Sequence, residues 1–334
     1  MAAEKGLGLA RVAAAAGVTV ATVSNTINRP HLVAQSTRER ILAVMTELDF
    51  VPNRAAATLR KGSARVIGLV VPEIVNPFYA AVTESVAVEA GEQGYALALC
   101  VSHDDPAVER RHFEMLAEHR AAGAIVVPLL ATAERLTQLR MVGTHLVLID
   151  RVENSHDSCA VVVDDVAGGR LAADHLLGRP DTRALTIVNG ALTIPQCADR
   201  LAGTLQAVDT HSLVQYETES MSIEDGVAVG RMIAESGSPR DVFCTNDQLA
   251  FGVIRGLHEG GLDVPRDARV VGYGDLALAT EGDVQITSVA QPKAEMGRAA
   301  VGHIISEIAD GESHRHTTTV FVPELIVRSS APAA

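Results

Sequence analysis

Residues 13–28 read Ala13-Ala14-Ala15-Ala16-Gly17-Val18-Thr19-Val20-Ala21-Thr22-Val23-Ser24-Asn25-Thr26-Ile27-Asn28. The alanine-rich stretch 9–16 favours a helix. Gly17 halts it, because glycine enters the left-handed turn at a helix end without steric cost. Thr19 is placed to cap a second helix over 20–28, whose first amides otherwise lack partners. Helix, glycine turn and second helix describe a helix-turn-helix. Val12, Ala16, Val18, Val23 and Ile27 fall where they pack the two helices together. The other face of the second helix then carries the chemistry. Thr19, Thr22, Ser24 and Asn28 suit phosphate oxygens, which position a protein on a duplex without specifying sequence. Val20 and Ala21 suit thymine methyls, and Asn25 can bond adenine in a bidentate fashion. The bland alternative is a helical hairpin with no nucleic-acid role.

Downstream, Thr37 is expected to open a third helix to about Asp49, with Ile41, Val44, Met45 and Leu48 at helical spacing. Pro52 ends the following turn. Residues 53–60 spell a fourth helix too short to persist alone, and Gly62-Ser63 a linker. The 334-residue chain holds 28 Lys and Arg against 41 Asp and Glu, a net charge of −13. That total disfavours a nucleic-acid partner until it is divided. Residues 1–65 carry nine basic and four acidic side chains, a net of +5, so residues 66–334 carry −18. A basic head attracts phosphate backbones through counterion release, while an acidic body resists nonspecific adhesion.

Beyond residue 65 the pattern alternates. Strands are expected at 66–71, 96–101, 124–127 and 145–149. A second set follows at 160–163, 184–188, 214–216, 242–245, 269–273 and 286–289. Between them, helices are expected at 79–92, 108–121, 168–177, 223–236, 248–260 and 295–309. Apolar strands separated by amphipathic helices imply parallel sheets covered on both faces, here in two units. The fold class is therefore α/β: a three-helix helix-turn-helix head and hinge helix, then a two-subdomain core of doubly wound parallel sheets. At 47% hydrophobic and 21% charged residues, the composition is that of an ordinary globular chain. No apolar run reaches the roughly 18 residues of a membrane span, and no secretion signal opens the chain, so a cytoplasmic location is expected. Cys100, Cys159, Cys197 and Cys244 lie at least 38 residues apart, which suggests buried, reduced thiols.

Enzymatic signatures are missing: there is no Walker A loop, HExxH or GxSxG. The glycines at 226–230 lie in a helical stretch, not after a strand, so a dinucleotide loop is not expected. His314 and His316 form an HxH pair on an expected loop or strand edge, read as having no acidic or cysteine ligand close by. It reads as a solvated pair; no metal and no cofactor are expected.

The chain resembles the lactose-repressor (LacI/GalR) family of bacterial transcription regulators. The resemblance rests on the helix-turn-helix segment, Thr37-Arg38-Glu39-Arg40-Ile41, the run Glu47-Leu48-Asp49-Phe50-Val51-Pro52-Asn53-Arg54-Ala55-Ala56, and Leu59. It continues in order through Asn76-Pro77-Phe78-Tyr79, Ile149-Asp150-Arg151, Val163-Asp164-Asp165, Arg200-Leu201-Ala202-Gly203, Thr245-Asn246-Asp247, Val271-Gly272-Tyr273 and Pro323-Glu324-Leu325. It thus spans essentially residues 8–330.

The resemblance implies a DNA-binding regulator, most often a repressor, with Thr37 and Asn53 among the DNA contacts. Residues 53–60 would be the hinge helix, Ala56 would lie against the minor-groove floor, and Leu59 would be the wedge opening a base step. The core would resemble periplasmic binding proteins, with a sugar or related effector between the subdomains. Phe78, Tyr79, Asp150, Arg200, Met221, Asn246 and Asp275 would line that cleft, Arg200 as its clamping arginine. The expected division is 1–52 head, 53–65 hinge and linker, 66–161 plus 291–319 first subdomain, 162–290 plus 320–330 second. A homodimer on a roughly palindromic double-stranded operator is implied. Departures touch specificity. Asn25 stands where many relatives carry arginine. Gly274 replaces a usual cleft aspartate, which Asp275 would have to replace. Ile194 and Met221 stand where relatives often supply an arginine and an aromatic stacker. The alternative is a solute-binding protein of a transport system, which needs a secretion signal and does not need the head.

Overall fold

The computed structural model describes residues 8–50, 64–128, 133–150, 157–179, 182, 184–208, 213–238 and 240–333. These form two compact units, one ending at Ala64 and one running from Arg65 to Ala334.

In the head, α1 (Leu9–Ala16) ends on Gly17 in the left-handed conformation, φ 63°, as the turn requires. Helix α2 (Val20–Asn28) is capped by the Thr19 side chain, which accepts from the Thr22 amide. Helix α3 (Gln35–Glu47) starts two residues before the expected Thr37. Its cap is Ala34, which offers no side-chain acceptor, so a search for hydroxyl caps shifts the boundary to the next threonine. Val12, Ala13, Ala16, Val23, Ile41 and Met45 form a small core, with Val18 and Ile27 packed against it.

The larger unit contains two six-stranded sheets. The first is built by β1 (Ala64–Val71), β2 (Ala96–Val101), β3 (Ala121–Val126), β4 (His145–Ile149), β5 (Cys159–Val163) and β11 (Thr318–Phe321). Its order is β11-β5-β4-β3-β1-β2. The second contains β6 (Leu185–Asn189), β7 (Leu213–Glu217), β8 (Asp241–Cys244), β9 (Arg269–Gly274), β10 (Thr287–Ala290) and β12 (Glu324–Ile326). Its order is β12-β10-β9-β8-β6-β7. Strand β12 is antiparallel to β10, whereas β5 with β11 and β9 with β10 are parallel.

Helices α4 (Pro77–Glu92), α5 (Pro106–Glu118), α6 (Ala133–Met141) and α12 (Lys293–Asp310) accompany the first sheet. Helices α7 (Asp165–Leu177), α8 (Pro195–Ala207), α9 (Ile223–Ser236), α10 (Asp247–Glu259) and the one-turn α11 (Leu278–Glu281) accompany the second. The central strands are buried on both faces because they are continuous apolar runs: every residue of β3, β6 and β9 is buried. All four cysteines are buried free thiols. No described helix is long and apolar enough to cross a membrane.

Three differences from the sequence reading have plain causes. The helix expected at 108–121 ends at Glu118, and Ala121 already begins β3; alanine serves either element, and packing chose the strand. Strands β11 and β12 escape periodicity because they are four- and three-residue edge strands with largely exposed faces. The expected subdomain limits at 161/162 and 319/320 cut through β5 and β11, which pair with each other in the first sheet. The chain crosses between sheets after Val163, after Ala290 and after Phe321.

Candidate functional site

Two sites emerge. On the head, Val20 is 45% exposed and Ala21 is exposed, while Val23 on the same helix is fully buried. That division frees the residues suited to base edges. Thr19 Oγ1 lies 2.9 Å from Thr22 Oγ1, so the two hydroxyls form one cap at the start of α2. Ser24, Asn25 and Thr37 are half-buried. The side chain of Asn28, together with Asn53, Ala56 and Leu59, lies outside the described residues.

The second site lies where the carboxyl ends of the two sheets meet, the usual ligand position in such folds. Asp150 follows β4 in a left-handed conformation, φ 69°. Its Oδ2 accepts from Tyr79 Oη at 3.0 Å and from Gln196 Nε2 at 2.7 Å. Tyr79 belongs to the first half and Gln196 opens α8 in the second, so one carboxylate links both halves. Asn76 caps α4 by accepting from the Phe78 amide, which sets Phe78 and Tyr79 side by side with ring centroids 5.2 Å apart. Both rings are buried.

The remaining residues divide by commitment. Asn246 caps α10 and donates to the Met221 carbonyl at 3.0 Å. Met221 has φ 51°, a conformation costly for a long side chain. Its sulfur sits 3.6 Å from Cys197 Sγ in space left by Gly190, where any Cβ would collide with it. Asp275, φ 48°, pairs with Arg328 at 2.6 Å. That pair uses Oδ1 and leaves Oδ2 to replace an acceptor missing at Gly274. Lys293 donates to the carbonyls of Gly274 and Asp275, and burial lowers its pKa.

Arg200, expected as the effector clamp, is committed to the protein. Its Nε donates to Asp165 Oδ1 at 2.9 Å and its Nη1 to the Thr245 carbonyl at 2.7 Å, while its guanidinium carbon lies 3.7 Å over the Tyr273 ring. Tyr273 donates to the same Asp165 oxygen at 2.6 Å. Burial works against the charge on Arg200, yet Asp165, Tyr273 and Cys197 together outweigh it and raise the pKa above its ordinary value. Burial, then Asp165, raises that of Tyr273, so the phenol stays protonated. Asp247 is a latch of the same kind. It accepts from the Leu276 amide and the Ser288 hydroxyl, both at 2.7 Å, and Leu276 inserts into the apolar core of the first half.

Sequence reasoning missed Gln196 and Asn189. Both are buried, and neither Gln196 Oε1 nor Asn189 Oδ1 accepts a hydrogen bond among the described residues. Leaving a buried acceptor unpaired costs about 1–3 kcal/mol. A readable signal existed: Asn189 ends a strand and Pro195-Gln196 opens the following helix. The reading of His314 and His316 as a solvated pair without acidic or cysteine neighbours is corrected. Cys159 Sγ lies 3.2 Å from His314 Nε2, and Asp310 Oδ2 lies 3.2 Å from His314 Nδ1. Pairing of β5 with β11 brings them together across 155 residues of chain.

A helix-turn-helix head attached to a two-sheet core with polar groups converging between the sheets defines the class: a DNA-binding regulator with an effector-binding core. Residues 9–53 match the family described as bacterial regulatory proteins, lacI family, and residues 173–331 match the periplasmic binding protein-like domain. The chain is 31% identical over 329 residues to the HTH-type transcriptional repressor PurR of Haemophilus influenzae (strain 86-028NP), covering 96% of this chain and 97% of that protein. The fold matches the lac repressor dimer bound to operator and the anti-inducer ONPF, with TM-score 0.85, 22% identity and coverage of 98% and 100% of the two chains. It also matches a complex of the transcriptional regulator CelR with cellobiose, with TM-score 0.70, 28% identity and coverage of 97% and 99%. The chain belongs to the lacI family of bacterial regulatory proteins. It is a DNA-binding transcription repressor, not an enzyme.

Proposed function

We propose that this repressor acts as a homodimer on a roughly palindromic operator and is controlled by a neutral, polyhydroxylated small molecule bound between the two core halves. The observation that carries the effector class is the contact of Asp150 with Gln196 between the halves, where Gln196 keeps a buried acceptor oxygen. Such a lining calls for hydroxyl donors. An anionic ligand fits less well, because Arg200 is held by Asp165 and Lys293 by backbone carbonyls. The cellobiose in the CelR complex supports the same class.

An effector that replaces the Asp150–Gln196 bond favours one separation of the halves over another. Only such differential affinity can regulate. In this reading the operator is read by Val20, Ala21 and Asn25 and gripped through phosphates by Thr19, Thr22, Ser24, Asn28, Thr37 and Asn53, with Ala56 and Leu59 in the minor groove.

A thermal-shift screen of sugars, polyols, sugar phosphates and nucleobases tests the effector class, because a ligand selective for the native state raises its melting temperature. Neutral polyols are expected to give the largest shifts; stabilisation by phosphorylated compounds alone overturns the assignment. For the head, operator selection followed by a salt titration is expected to give a steep loss of affinity with salt. Asn25→Ala should lose about 1–3 kcal/mol of discrimination at one base pair while keeping the salt slope. Uniform weakening on all sequences would make Asn25 a phosphate contact.

A further inference from the structure

We propose that Cys159, His314 and His316 form a binding site for one Zn2+ ion at the edge of the first sheet, well apart from the effector cleft in chemistry and in the residues used. Cys159 is the first residue of β5 and is fully buried. His314 and His316 precede β11, the edge strand paired with β5. Sγ of Cys159 lies 3.2 Å from His314 Nε2 and 3.9 Å from His316 Nδ1, and the three ligand atoms lie within 4.8 Å of one another. A tetrahedral zinc with Zn–S about 2.3 Å and Zn–N about 2.0–2.1 Å separates its sulfur and nitrogen ligands by roughly 3.5 Å. The two sulfur–nitrogen distances bracket that value, and the third separation, between the two imidazole nitrogens, is set by the exposed His316 side chain, which can turn toward the ion.

The surroundings have the second layer that such sites use. His314 Nδ1 faces the Asp310 carboxylate at 3.2 Å. A carboxylate on one ring nitrogen fixes the tautomer and leaves the other nitrogen's lone pair for the metal. Here that other nitrogen is the one directed at sulfur. The Thr317 amide donates to Cys159 Sγ at 3.5 Å, a contact that suits a thiolate. Glu307 adds negative charge nearby. Its carboxylate pairs with His145 at 3.2 Å, its Oε2 accepts no hydrogen bond among the described residues, and it interacts electrostatically with both His316 and His314.

One thiol and two imidazoles favour zinc over the oxygen-seeking Mg2+ and Ca2+. Three protein ligands leave the fourth position to water. The ion joins the start of β5 to the segment that enters β11, at the end of both strands opposite to their crossings after Val163 and Phe321. It therefore fastens the edge strand of the first sheet to its neighbour.

The test uses the full chain without an affinity tag, treated with a chelator and then titrated with Zn2+ against a chromophoric competitor. One equivalent per chain is expected, with affinity reduced at least about tenfold in Cys159→Ser and in His316→Gln. His316 is exposed, so that variant keeps its fold even if the buried serine does not. His258→Gln, on an exposed face of α10, should bind as the parent does. Co2+ in place of zinc should give a thiolate-to-cobalt charge-transfer absorption that Cys159→Ser abolishes. Equal zinc affinity in the parent and His316→Gln, or a cobalt complex without the thiolate absorption, overturns the site and leaves a hydrogen-bonded Cys–His pair.

Discussion

The two halves of the core share a strand order, yet different forces hold their outer layers. In the second half, helices meet backbone to backbone. Gly226 and Gly230 of α9 face Gly252 and Gly256 of α10, and a Cβ on any of the four would run into a carbonyl of the facing helix. Gly169 of α7 and Gly203 of α8 repeat the arrangement. Glycine in a helix interior costs about 1 kcal/mol relative to alanine, so six of them need the close approach as compensation. In the first half the one glycine at a helix–helix contact among the described residues, Gly297 of α12, meets chiefly the Ser85 side chain of α4, and the strand glycines Gly68 and Gly123 face the side chains of Leu116 and Ile304. Side chains can move aside; carbonyls of a packed helix cannot. The second half also contains the Arg200–Asp165–Tyr273 network, while the first has its polar cluster at the edge, around Cys159. The comparison describes one half built as a stiff block and one with adjustable packing, joined by Asp150 to Gln196.

The largest test of this contrast is Arg200→Ala. It leaves Asp165 charged and buried beside Tyr273, and breaking a buried pair in this way costs about 3–5 kcal/mol. Chemical denaturation should show that loss together with loss of any effector response. A variant of parental stability that merely stops responding would return Arg200 to the role of ligand clamp. Next comes a matched pair of glycine substitutions. Gly252→Ala should cost about 3 kcal/mol, and Gly123→Ala about 1 kcal/mol, since only Ile304 must yield. Equal costs would remove the distinction between the halves. The smallest expected effect is the most specific. Gln196→Met keeps the volume but removes the bond to Asp150 and the unpaired acceptor. Stability should change by less than about 1 kcal/mol, while effector affinity falls about tenfold, as for one lost hydrogen bond to the neutral effector. Unchanged affinity would separate Gln196 from the effector.

Much of the fold could be read directly because its signals are local. Helices α1 and α2 have the limits that Gly17 and Thr19 set, and strands 96–101 and 145–149 have the limits of their apolar runs. Val20 was readable as an exposed apolar residue from its place on the second helix, whereas Asn246, expected in the cleft, caps α10. The candidate cleft was only half readable. Asp150 and Tyr79 sit in a resemblance that spans the chain, whereas Gln196 matters because its first-turn side chain reaches a carboxylate 46 residues earlier in sequence. Arg200 shows the opposite case: the resemblance implied a ligand clamp, but Asp165 and the Thr245 carbonyl take its Nε and an Nη1 donor.

By itself, then, the sequence determined the class of each element, the division into a +5 head and a −18 body, and membership in a repressor family. Those properties depend on periodicity, capping and composition, which act over a few residues or are simple sums. Only the tertiary structure decided which groups are already partnered and which distant groups meet. It spent Arg200 on Asp165, tied Asp275 to Arg328, and placed Cys159 against His314 by laying β11 beside β5. Hydrogen bonds and ligand sets depend on separations of about 2–4 Å, and no local pattern encodes a separation between residues 155 positions apart.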